Sequence, residues 1–143
     1  MNVLKIEFAT PEHDETVRLR YKILRLPLNL DFTAGDLAKE YTDIHLAAYD
    51  AAWILRGCLV LTPKSKTVIK MRQVAVDSDV QGMGIGRAMV EKSEQLARLE
   101  GYKTIELNAR DVAVPFYKKL DYQVEGDMFE EVSIPHFKMI KHL

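Results

Sequence analysis

Three glycines alternate at positions 82, 84 and 86, between two segments of different periodicity. Thr67 to Val76 is rich in β-branched residues and reads as a long strand. From about Ile85 to Glu100, Ile85, Met89, Leu96 and Leu99 recur at helical spacing, and Gly101 supplies the stop. A chain that passes from strand to helix through Gln81-Gly82-Met83-Gly84-Ile85-Gly86 brings bare backbone to a helix N-terminus. The first N–H groups there point outward with partial positive charge, which suits phosphate oxygens; a tight strand–helix junction alone would also use glycine. Two phosphate-loop readings fail. A dinucleotide fingerprint needs a glycine where Arg87 or Met89 stands, and Gly86-Arg87-Ala88 lacks the lysine and hydroxyl of a Walker loop.

The rest of the chain alternates strand and helix signals. Val3 to Phe8 alternates as a half-buried strand, and Thr10-Pro11 opens a helix over 11–25 that Pro27 ends. Residues 28–42 read as irregular, with a short helix around Ala34–Lys39. Ile44–Tyr49 and Ala52–Leu61 read as a hairpin turning at Asp50-Ala51. After the glycine loop come a strand at Lys103–Asn108, a helix at Val112–Leu120 and a short extended piece at Tyr122–Glu125. A turn at Glu130-Glu131 and a last strand, His136–Ile140, close the pattern. With no repeat or linker in 143 residues, a single domain over 1–143 is expected, of mixed α/β class.

Three segments together carry a family resemblance. The loop fits Gln/Arg-x-x-Gly-x-Gly/Ala and resembles the acetyl-CoA loop of the GCN5-related N-acetyltransferase (GNAT) superfamily. Ala113-Val114-Pro115-Phe116-Tyr117-Lys118-Lys119-Leu120-Asp121-Tyr122, after Asn108-Ala109-Arg110, resembles the second motif of that superfamily, with Asp121 in place of its glycine. Phe129 to Met139 resembles the F-x-E-x-G-I-P-H-x-x-M ending of small bacterial GNAT proteins, with Ser133 in place of glycine. The resemblance implies a central mixed, mostly antiparallel sheet of about seven strands flanked by helices.

It also implies chemistry. Acetyl-CoA would be the cosubstrate. The main chain of Val74, Ala75 and Val76 would hold the pantetheine arm and the acetyl carbonyl. Gln81, Gly82, Met83, Gly84, Ile85, Gly86 and Arg87 would wrap the pyrophosphate, with Asn108 and Phe116 beside them. Tyr117 resembles the general acid of the family, and Asn108 would bind pantetheine or a catalytic water. On spacing alone, Phe116 and Leu120 form the buried stripe of their helix, which leaves the Tyr117 hydroxyl free to reach the cleft. No carboxylate occupies Lys70-Met71-Arg72-Gln73, so the base would be a water chain, Glu131 or His136 on the substrate side.

Composition narrows the partners. Twenty basic residues against twenty-one acidic ones argue against a nucleic-acid binder. No stretch free of charge is long enough for a membrane span, and the charged start Met1–Glu7 is not expected to be a signal peptide. The lone Cys58 fits a reducing cytoplasm and reads as buried filler, and the four histidines have no metal-ligand spacing. The expected acceptor is an amine of a small molecule or a peptide, with room left for a homodimer. Residues 1–50 carry six basic and nine acidic residues, and Glu130 and Glu131 sit near the expected acceptor side. An acidic pocket that prefers cationic amines is therefore expected. The alternative is a catalytically silent acyl-CoA-binding module on the same fold.

Overall fold

The computed structural model describes residues 1–143. Strand β1 (Asn2–Ile6) pairs antiparallel with β2 (Ile44–Tyr49), β2 with β3 (Leu55–Pro63), and β3 with β4 (Val68–Val76). β4 then runs parallel to β5 (Thr104–Arg110). A parallel pair cannot be joined by a hairpin, and the helix α3 (Ile85–Leu99) makes the crossover. β8 (Ile134–His142) returns antiparallel along β5, and its other edge carries β6 (Gln123–Val124) and β7 (Phe129–Glu131). The result is one eight-stranded mixed sheet, antiparallel except at β4–β5, against the seven or so strands expected.

Each face of the sheet is covered by different helices. Leu46, Leu59, Leu61, Ile69, Met71, Ile105, Leu107 and Met139 pack with Ile85, Met89, Val90 and Ala97 of α3 in the main core. Each such side chain contributes roughly 1.5–3 kcal/mol on burial. α3 crosses β3 at Gly57, where an added Cβ would lie 3.0 Å from Met89 Sδ. On the other face, α1 (Pro11–Arg20) and the turn after it pack Leu19, Ile23 and Leu24 against Cys58 and Ala75. Cys58 is buried as expected, and burial pushes its thiol up to about 12.

Several boundaries differ from the sequence reading. The first strand stops at Ile6, because Ala9 takes a left-handed φ of 60° before Thr10 caps α1. α1 itself ends at Arg20, and the chain widens into a π-type turn over Tyr21–Arg25, where the Leu26 N–H reaches the Tyr21 carbonyl. Pro27 then sits in a 3-10 turn, Leu26–Leu28. A second helix, α2 (Ala34–Ala38), opens on a capping box between Thr33 and Asp36. The first hairpin turns over five residues rather than two. Asp50 accepts from the amides of Ala52 and Ile54, and β3 begins at Leu55. Glu130 and Glu131 belong to β7 and not to a turn. The turn is Val132-Ser133, with φ of 48° and 62°, the twist that a two-residue hairpin requires. Asp121, in the other glycine position, is also left-handed at φ 70°. Both substitutions retain the glycine conformation and accept its strain.

Candidate active site

The parallel β4–β5 pairing runs from Val68–Thr104 to Met71–Leu107 and then stops. Beyond it, β4 stays bonded to β3 and β5 to β8, so the two strands diverge with unpaired backbone facing each other. A bulge drives the divergence. Cys58 opposes Ala75 and Val60 opposes Arg72, so Gln73 and Val74 together face Leu59. Gln73 takes φ 55°, and its Oε1 is buried without a partner. The extra residue also switches side-chain parity. Ile69 and Met71 face α3 before the bulge, and Val74 and Val76 do so after it.

The glycine loop lies just past Val76. Gln81 Nε2 donates to the Val76 carbonyl at 3.1 Å and ties the loop to the strand. Gly82 and Gly84 have φ of 82° and 84°, and a Cβ on either would meet nothing within 4 Å. These glycines therefore serve backbone conformation and access, not relief of an internal clash. Gly84 is the N-cap of α3, and no side chain caps it. The first amides of a fifteen-residue helix are thus left for a ligand. Ile85 and Ala75 are buried and offer only backbone, whereas Met83 is exposed. Arg87 points along the outside of α3 and pairs with Glu91 at 2.9 Å.

Helix α4 (Val114–Lys119) reverses one expectation. Phe116 is 37% exposed, while Tyr117 is 7% exposed. The core-facing row is Ala113, Tyr117 and Leu120, spaced at i, i+4 and i+7, because the helix starts at Val114 with Pro115 in its first turn. Phe116 instead lies over the start of α3, its Cζ 3.3 Å from where a Gly86 Cβ would be. Tyr117 packs edge-on between Phe116 and Tyr122. It nonetheless lines the cleft, and burial pushes its hydroxyl up to about 12.

That cleft is a cavity of about 530 Å³ between the diverging strands. It brings together Val74, Asn108, Tyr117, Glu131 and His136 of the sequence-derived set. Asn108 Nδ2 donates to Glu131 Oε2 at 3.2 Å. His136 is buried, stacks on Phe129, and has Nδ1 at 2.8 Å from the Ile134 carbonyl. A carbonyl only accepts, so the proton is on Nδ1 and the Nε2 lone pair is free. None of Gln81 to Arg87 lines this cavity.

Sequence reasoning missed the charged lining. Arg25, Lys70, Arg72 and Arg110 line the cavity, against Glu131 alone, so the expected acidic acceptor side is overturned. None of the acids of residues 1–50 lines this cavity, and three of them are paired with arginines elsewhere. Glu40 is buried and takes both Arg20 guanidinium nitrogens at 2.9 Å, with Arg72 at 3.0 Å. Asp43 also faces Arg72, and burial raises its carboxyl despite that arginine. Asp50 pairs with Arg56. Alternation along β4 and β5 was the available signal. Lys70 and Arg72 interleave with Ile69 and Met71, and Asn108 and Arg110 with Leu107 and Ala109, so the polar residues share the face away from α3.

Comparisons with known proteins agree with this geometry. A family model described as an acetyltransferase (GNAT) domain matches residues 31–143. The uncharacterized N-acetyltransferase YjcF of Bacillus subtilis is 34% identical over 73 residues, 50% of this chain and 52% of that protein. YyaT of the same organism is 28% identical over 74 residues, 52% of this chain and 50% of that protein. The chain spans about half the length of the curated relatives it matches. An aminoglycoside 6'-N-acetyltransferase complexed with coenzyme A superposes with a TM-score of 0.81 at 19% identity, over 99% of this chain and 97% of that one. A GNAT family acetyltransferase from Elizabethkingia anophelis with acetyl-CoA bound gives 0.76 at 16% identity, over 99% and 97%. At such identities the likeness to the solved structures is one of fold.

Proposed function

Because the chain belongs to the GNAT acetyltransferase family, we propose that it moves an acetyl group from acetyl-CoA to a primary amine by direct attack in a ternary complex. The observation that carries this reading is the divergence of β4 from β5 beside an uncapped helix N-terminus. Unpaired backbone on two strands is costly unless something bonds to it, and an extended amide-bearing arm fits such a gap. The open space at Gly82 and Gly84 lets phosphate oxygens approach the α3 amides.

Bound acetyl-CoA supplies the activated acetyl thioester. The Val74, Ala75 and Val76 backbone holds its arm and orients the carbonyl, while Gln81 to Arg87 and Phe116 hold the phosphate end. The amine nitrogen forms the new C–N bond as the C–S bond breaks, so one proton must leave nitrogen and one must reach sulfur. His136 Nε2 takes the first, directly or through water, because its other nitrogen is committed to Ile134. Tyr117 donates the second, since burial keeps its hydroxyl protonated well above neutrality. Asn108, tethered to Glu131, orients the acceptor or a water beside the carbonyl.

The experiment is thiol release from acetyl-CoA with a panel of primary amines, run beside calorimetry of CoA binding. Amine-dependent release supports the enzyme. Binding with no release to any amine favours a silent acyl-CoA-binding module on the same fold, and absence of binding ends both readings.

A further inference from the structure

The acceptor side of the cavity carries cations, three of which have no ion-pair partner in the protein. Arg72 is engaged by Glu40 and Asp43. Arg25, Lys70 and Arg110 line the cavity too, and none has a carboxylate within 4.0 Å. Arg25 rests its guanidinium 4.5 Å over the Phe32 ring, which fixes the side chain without cancelling its charge. The one carboxylate in the lining, Glu131, is held by Asn108. These three cations are half-buried, so water screens them only in part.

Their positions give the cavity two ends. Glu131 and His136 come from the β7–β8 hairpin, and Arg110 sits opposite His136 in the β5–β8 register. Lys70 lies at the other end, opposite Thr62 on β3, and Arg25 reaches from the turn after α1. The phosphate-facing loop is elsewhere, since none of its residues lines this space. The cations are therefore available to the acceptor and not to the phosphates of the cosubstrate.

We propose that the acceptor amine also carries an anionic group, a carboxylate or a phosphate ester, which Arg25 and Lys70 bind at the end of the cavity away from His136. The amine end then lies toward Glu131, His136 and Tyr117. A cavity of about 530 Å³ is of the size that small-molecule ligands occupy. This deepens the acetyltransferase reading and rests on it for the identity of the reacting group. The anion site itself is a property of the cavity.

The test uses matched pairs of amines that differ only in the anion: β-alanine against its amide, and O-phosphoethanolamine against ethanolamine. Both kcat/KM for acetyl transfer and Kd by calorimetry, with and without CoA, are measured for each. The anionic member of at least one pair is expected to lead by about tenfold or more, and the winning pair tells carboxylate from phosphate. Arg25→Gln and Lys70→Gln are each expected to cut that lead by about threefold or more, and added salt to shrink it. Lys66→Gln, which removes an exposed charge from the β3–β4 turn, is expected to leave it intact. Equal or better performance of the neutral members in both pairs would overturn the proposal. So would an equal loss of preference in Lys66→Gln, which would trace the effect to the overall field. If no amine is acetylated, the acetyltransferase reading fails and calorimetry alone decides. Tighter binding of an anionic member, lost in Lys70→Gln, sustains the anion site, and equal binding ends it.

Discussion

One side of the site, the stretch that leaves the cavity at Val74 and runs on to Arg87, is built from consecutive residues and works through bare backbone. The facing wall gathers Arg25, Lys70, Asn108, Arg110, Glu131 and His136 from five separate elements and works through side-chain charge. The first is stable by local geometry, since Gly82 and Gly84 adopt left-handed φ without help from distant residues. The second depends on packing between elements far apart in sequence. Its anchor is Glu40, which joins Arg20 of α1 to Arg72 of β4. A backbone site tolerates drift in its surroundings, whereas an assembled site is only as firm as the contacts that join its pieces.

The largest effect should come from breaking that anchor. Glu40→Ala leaves Arg20, itself 1% exposed, without a counter-ion. Removing one partner of a buried pair costs about 3–5 kcal/mol. Denaturant melts should show the midpoint falling at unchanged slope. A loss below about 1 kcal/mol, the range of surface pairs, would mean the second wall does not depend on this anchor.

Next comes Tyr117→Phe, at the seam between the walls. The ring keeps its edge-on contacts with Phe116 and Tyr122, and only the hydroxyl is lost. kcat should drop by roughly 10²-fold while CoA affinity changes little. Because burial holds this hydroxyl up to about 12, the wild-type rate should show no basic limb at tyrosine's ordinary 10. An untouched kcat would make Tyr117 a packing residue only.

Gly84→Ala probes the backbone wall. A Cβ at φ 84° meets no neighbour, so the substitution strains the chain by about 1–2 kcal/mol and intrudes on the face offered to phosphate. CoA affinity should fall about tenfold, with Tyr117-dependent chemistry preserved at saturation. Unchanged affinity in calorimetry would remove the phosphate cradle from this loop.

The smallest effect concerns acid. Desolvation, then His45 and Arg20, hold His13 below the ordinary histidine value of 6.5. The Ala9 N–H donates to its Nδ1, which puts the neutral ring's proton on the buried, unpartnered Nε2. The unfolded chain therefore binds a proton here before the folded one does. This contribution to stability is present above pH 6.5 and lost as pH falls toward the lowered folded value. Stability measured from pH 7 downward should fall less steeply in His13→Gln than in wild type. An identical slope would assign acid sensitivity to the carboxylates instead.

How much of this was readable in advance follows the same division. The β4–loop–α3 unit, the strand after it and the family were all legible, because their signals are local: β-branched alternation, glycine at left-handed positions, helical spacing. The glycine replacements at Asp121 and Ser133 still marked left-handed turns in the motifs, although charge places the turn of the closing segment at Glu130-Glu131, which is strand. The two-residue turn of the hairpin, Val132-Ser133, lies two residues later than charge alone suggests. The orientation of α4 was misjudged for a similar reason. A six-residue helix is too short for its own spacing to choose between Phe116 and Tyr117, and contact with Gly86 and Tyr122 made the choice.

Charge was the property that sequence order conveyed least. Residues 1–50 are net acidic, yet Glu40 and Asp43 turn inward to arginines while Arg25 faces the cavity. By itself the sequence determined where backbone would be bare and which elements would flank it, since those follow from φ preferences and period. Only the tertiary structure decided the sign of the cavity. Coulomb interactions depend on which side chains are spent on each other, and Arg20, Glu40 and Arg72 meet across 52 residues of chain.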